Sequence, residues 1–170
     1  MTARTIALLR HAKSDWPDGV PDRRRPLGER GRRDAPVAGR LLQQRVGQPD
    51  LVLVSPAQRT RETWQLASAA FAHQPHLQIA DDVYDASVDD LLLLLRDTAA
   101  HVESLVVVGH NPGLEQLAFA LSDAGGDPDA IAAMGTKFPT SALAVLSTQM
   151  EWAHLVEESC TLRSFDVARG

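Results

Sequence analysis

The feature that most constrains this chain is a short apolar run, Thr5-Ile6-Ala7-Leu8-Leu9, that stops abruptly at Arg10 and His11. The run is too short for a helix and is β-branched at its start, so it reads as a buried strand. The same plan recurs twice. Leu51-Val52-Leu53-Val54 runs into Ser55-Pro56-Ala57-Gln58-Arg59, and Ser104-Leu105-Val106-Val107-Val108 runs into Gly109-His110-Asn111-Pro112-Gly113. Helical patterns lie between these runs, and such alternation indicates an α/β fold built on a parallel sheet. The expected architecture is a three-layer α/β/α sandwich whose mostly parallel central sheet has an antiparallel edge strand. No repeat, linker or low-complexity tract divides the chain, so residues 1–170 read as one domain.

In open α/β sheets, ligands bind beyond the carboxyl ends of the strands. Parallel strands bring those ends to one side, so Arg10, His11, Arg59 and His110 can converge. Two arginines offer forked donors that suit phosphate oxygens. One histidine can attack phosphorus, and the other can donate to the oxygens as charge builds there. That set is complete for phosphoryl transfer without a metal or other cofactor. Arg59 and Arg61 also sit where a helix should begin, an end that is already positive, and a bound anion there would relieve the conflict.

The remaining elements follow from pattern. Residues 15–25 form a loop bordering the pocket. A helix is expected from about Glu29 to Val46, with Pro36 a kink or boundary. Ser55 is the expected N-cap, and Pro56 the first residue, of a helix reaching about Phe71. A short strand over 77–80, a loop over 81–85 and a Leu-rich helix over 88–98, buried on more than one face, come next. A helix over 114–121 and an irregular segment over 122–136 follow. Runs 142–147 and 152–156 are expected to pair as a hairpin, and the tail from Ser159 is unassigned.

Bulk properties exclude several classes. The formal net charge of −5 argues against a general nucleic-acid binder, so any anion site must be a local positive focus. The basic residues clustered over 23–33 read most simply as a solvated face, or else as a positive rim that draws in a phosphorylated partner. No apolar stretch approaches the roughly 20 residues needed to cross a bilayer, and the N-terminus lacks a signal-peptide pattern, which points to a cytoplasmic protein without membrane partners. The one cysteine, Cys160, is followed six positions later by Asp166, which does not fit the five-residue spacing to arginine of a cysteine phosphatase. There is no Gly-Lys-Ser/Thr phosphate loop.

Taken together, Leu-Leu-Arg-His-Ala at 8–12, Ser-Pro-Ala-Gln-Arg-Thr-Arg-Glu-Thr at 55–63 and Gly-His-Asn-Pro at 109–112 resemble the histidine phosphatase (phosphoglycerate-mutase-like) superfamily. Arg25-Pro26-Leu27, Gly31 and Phe-Pro-Thr-Ser at 138–141 resemble its small SixA-type phosphohistidine phosphatase branch. The resemblance implies that His11 is the transiently phosphorylated nucleophile and that Arg10, Arg59 and His110 complete the phosphate pocket. It implies a hydroxyl near the phosphate at Ser14 and makes Asn111 a candidate substrate contact. Many relatives have Gly where this chain has Ala12. Larger members use a carboxylic acid on the leaving group, and no residue matches that motif; Asp85 is the candidate, with Asp15, Asp18 and Glu115 as alternatives. A site lacking a strong acid suits a phosphohistidine, which leaves as an imidazole, better than an alkyl ester, whose alkoxide needs protonation. The expected partner is therefore a phosphorylated protein. A small phosphorylated metabolite, or a phosphate-binding adaptor without turnover, is the alternative.

Overall fold

In a computed structural model, which describes residues 2–170, the chain forms the expected layered α/β fold. Strand β1 spans Arg4–Arg10, and helix α1 spans Glu29–Val46. Then come β2 (Leu51–Val54), α2 (Gln58–Ala67), β3 (Leu77–Ile79), α3 (Val88–Arg96) and β4 (Ser104–Gly109). Helices α4 (Gly113–Leu121) and α5 (Pro128–Thr136) precede β5 (Ala142–Thr148) and β6 (Thr161–Val167). The strands lie in the order β3-β2-β4-β1-β5-β6. The first four pair in parallel, and the antiparallel pairings are those of β5 with β1 and with β6.

The order explains the layers. From β1 the chain moves outward to β2 and β3, then doubles back and inserts β4 between β2 and β1. Crossovers between parallel strands are right-handed, so reversing direction sends the next helix to the opposite face. Helices α1 and α2 cover one face, where Ala7, Leu9, Val52, Val54, Val106 and Val108 are buried. Helices α3, α4 and α5 cover the other, over Ile6, Leu8, Leu53, Leu105 and Val107. Every central strand buries both faces, which is why these runs are continuously apolar.

Several local expectations are corrected. Helix α1 runs through Pro36, so the proline is not a boundary, and the helix gives up one backbone bond there. Helix α2 begins at Gln58 with Ala57 as its N-cap, and the Ser55 hydroxyl, two residues earlier, accepts from the Ala57 N–H at 3.4 Å and contacts the site below. In α3 only Leu91 and Leu95 are buried while Leu93 is 57% exposed, so this helix has one apolar face. Within 122–136, Asp127 caps α5 by accepting from the Ala130 N–H, with Pro128 in its first turn. Residues 152–154 form a 3-10 turn that buries Trp152, whose indole donates to the Val102 carbonyl at 2.7 Å. The hairpin partner of β5 is instead β6, from the unassigned tail.

Candidate active site

The register of β1 and β4 builds the centre of the site. Arg10 lies opposite Gly109, and the His11 N–H donates to the Gly109 carbonyl at 3.0 Å. The residues just beyond the two strands therefore face each other, and the His11 and His110 rings have centroids 5.3 Å apart. Strand β2 lies on the other side of β4, so the start of α2 brings in Arg59. Thr63 fastens this helix to the His11 turn: its hydroxyl accepts from the Ala12 N–H at 3.0 Å and donates to the Arg59 carbonyl at 2.7 Å. Helix α1 closes the other side. A Cβ on Gly31 would fall on the Lys13 carbonyl, so only glycine allows this approach.

His11 is buried, and its Nδ1 lies 2.8 Å from the Ala12 carbonyl oxygen. A carbonyl only accepts, so Nδ1 carries the hydrogen and Nε2 keeps its lone pair. Burial pushes the pKa of His11 down to about 3, and the nearby His110, Arg59 and Arg10 push the same way against the Ala12 contact. The ring is thus a neutral base at pH 7. In His110, burial and then Arg59 lower the pKa to about 4. Its Nε2 lies 2.7 Å from the Ser55 hydroxyl, and its Nδ1 is buried without a partner. The hydroxyl has no other acceptor among the described residues, so it donates to Nε2 and leaves Nδ1–H as an unspent donor.

The arginines show the same incompleteness. Arg10 donates through Nη1 to the Phe138 carbonyl at 2.9 Å, yet its Nε is buried and unpartnered. Arg59 is 6% exposed, and its Nε is likewise unpartnered. Its outer nitrogens donate to Asp22, at 2.7 Å to the carbonyl and 3.1 Å to the carboxylate. The Asp22 carboxylate also accepts from the Tyr84 hydroxyl at 2.7 Å and Arg25 at 3.1 Å. The Tyr84 hydrogen bond and the two guanidiniums hold its pKa at about 2, against a desolvation cost. A carboxylate from the loop thus supplies the anion that an arginine at a helix start calls for. The cleft is small, about 100 Å3, and its lining includes Asp22, Arg59, Tyr84, Asp85, His110 and Asn111. Among the described residues, no group of three or more His, Cys, Asp or Glu is arranged to hold a metal ion.

The other sequence-derived candidates are sorted by this geometry. Asp85 lines the cleft, is exposed and has a left-handed φ of 55°. Ser14 is buried and does not line the cleft, and its hydroxyl accepts from Arg25 at 2.6 Å. Arg25 is itself only 7% exposed, so it does not belong to a solvated basic face. Asn111 spends both amide hydrogens, on Glu115 and on the Phe138 carbonyl, each at 3.0 Å. The flipped amide would set oxygen against two acceptors, so Asn111 is a tie between loops rather than an open donor for substrate. Asp22 and Tyr84 carry no motif in the sequence, and Thr63 stands there only as the last residue of the 55–63 motif.

Two arginines and two histidines at the carboxyl edge of a layered α/β sheet define a phosphoryl-transfer class of protein. The comparisons agree. The model of the histidine phosphatase superfamily (branch 1) matches residues 6–90. The uncharacterized protein ML1117 of Mycobacterium leprae is 35% identical over 165 residues, covering 95% of this chain and all of that one. The SixA-designated protein of Nakamurella multipartitia superposes with a TM-score of 0.85 at 30% identity, over 99% of this chain and 98% of that one. The SixA-designated protein of Agrobacterium tumefaciens gives 0.79 at 33% identity, over 96% and 97%. This chain belongs to the histidine phosphatase superfamily, in its SixA-type branch, and is a phosphatase acting on phosphorylated substrates.

Proposed function

We propose that this phosphatase removes a phosphoryl group from a protein phosphohistidine through a covalent intermediate on His11. The observation that carries the reading is the Nδ1 contact of His11 with the Ala12 carbonyl, which leaves Nε2 as an unprotonated nucleophile inside a ring of cationic and neutral donors. The substrate's phosphoryl oxygens take the Arg10 and Arg59 guanidiniums and the Nδ1–H of His110, and the Asp22 carboxylate gives up Arg59. Nε2 attacks phosphorus in line, a new N–P bond forms, and the N–P bond to the substrate imidazole breaks. That imidazole leaves neutral once its other nitrogen is protonated. The phosphorylated His11 ring is an imidazolium, and the Ala12 carbonyl stabilises its Nδ1–H. Water then attacks the same phosphorus, Nε2 departs with its electron pair, and inorganic phosphate is released.

A phosphate ester of a small molecule is the second reading, favoured by one observation: the Asp85 carboxyl, a candidate acid for an ester oxygen, lines the same cleft as Arg59 and His110. The test is phosphate release in the presence of chelator from a phosphohistidine peptide and from small alkyl and aryl phosphates, by the wild type, His11→Ala and Asp85→Asn. The proposal expects the peptide to be the best substrate, His11→Ala to be inactive and Asp85→Asn to retain peptide turnover. Preference for the alkyl phosphate, lost in Asp85→Asn, would establish the ester reading instead.

A further inference from the structure

Beside the catalytic cleft, between α2 and β3, runs a groove of about 900 Å3. Its apolar floor includes Val54, Trp64, Leu77 and Ile79, and the last two are each 45% exposed. Its rim carries Arg23, Arg24, Arg61 and Glu62. Glu62 is committed, accepting from the Leu27 N–H and the Gln58 amide at 2.7 Å each. Arg23 pairs with Asp81, whereas Arg24 and Arg61 are exposed and enter no ion pair among the described residues. On a chain of net charge −5, this is a local concentration of positive charge. Strand β3 is the outermost strand and pairs only with β2, so its outer edge offers unpaired backbone groups.

The groove and the catalytic cleft are lined by neighbouring stretches of the chain. Arg23 and Arg24 directly follow Asp22, which holds Arg59, and the lining residues Pro56 and Gln58 lie between Ser55 and Arg59. A polypeptide whose phosphorylated residue reached His11 could continue along this groove. An exposed edge strand accepts an extended segment through its backbone, and flanking arginines select its charge. We propose that the groove between α2 and β3 docks an acidic, extended segment of the protein substrate next to its phosphorylated residue. This inference rests on the protein phosphohistidine reading above.

The test compares kcat/KM on two phosphohistidine peptides that differ only in an acidic or a neutral flank, with a small aryl phosphate as reference. Wild type should prefer the acidic flank by about tenfold, the scale of two exposed charge contacts, and the preference should fade with salt. Arg24→Ala combined with Arg61→Ala should abolish the preference through KM and leave aryl phosphate turnover unchanged, which also shows that the variant is folded. Arg24→Glu combined with Arg61→Glu should reverse the preference. Turnover of both peptides without preference in wild type, or a preference unchanged in the double variant, overturns the docking proposal alone. Aryl phosphate turnover with neither peptide accepted overturns the protein-substrate reading and the docking proposal together.

Discussion

The turns after β1 and β4 begin from the same plan and end in different chemistry. Each is an apolar strand that delivers a histidine to the sheet's carboxyl edge, and burial keeps both rings neutral at pH 7. The difference lies in one hydrogen-bond partner. His11 faces a carbonyl, an obligate acceptor, and so presents a lone pair. His110 faces a hydroxyl that can donate, and so presents a hydrogen. A strand end supplies position, whereas the neighbour of the second ring nitrogen supplies role.

Substitutions can break this asymmetry in order of size. On the proposed covalent mechanism, His11→Ala should lower turnover on the order of 10⁴-fold or more, because no other group would replace the nucleophile; steady-state phosphate release checks it. His110→Ala should leave the nucleophile in place and cost about 10² to 10³ in kcat, the scale of one donor to developing charge. Single-turnover kinetics should then still show phosphorylation of the enzyme. Ser55→Ala should cost about tenfold in kcat, since His110 loses the partner that fixes its tautomer. The accompanying readout is a changed 15N NMR tautomer signature at His110 with His11 unaffected.

Smaller effects sharpen the comparison. Asp22→Asn should tighten inorganic phosphate binding by up to about fivefold, because a neutral amide competes less for Arg59 than a carboxylate does; calorimetric titration measures it. Proton titration separates the two histidines least, with His110 midway at about 4 and His11 at about 3. Both values lie below the unfolded value of roughly 6.5, so the unfolded chain binds more protons on acidification. Stability should therefore fall as pH drops from about 6.5 through these midpoints, as denaturant unfolding at stepped pH would show.

Much of the site was legible because it lies on strands. Arg10, His11 and His110 follow apolar runs whose ends the sheet brings together, and Arg59 follows a third. Asp22 was hidden because its partners, Arg59 and Tyr84, are 37 and 62 residues away and its loop has no periodicity. Ser55 carried a sound N-cap signal, but the helix starts two residues later, and the hydroxyl accepts from the Ala57 N–H while also meeting His110. Strand β6 escaped because a bulge opposite Val145 and Leu146 interrupts its register, so Leu162 and Phe165 fall out of simple alternation. Helix α5 did carry a signal, Asp127 before Pro128, masked by the glycines and small residues around it.

The most direct test of the account is rapid acid-free quenching of wild type with a phosphohistidine peptide, followed by intact-mass and peptide mapping. The account predicts one phosphoryl group, alkali-stable and acid-labile, on Nε2 of His11, forming in His110→Ala and absent in His11→Ala. A phosphoryl group on any other residue, or full turnover in His11→Ala, would contradict it.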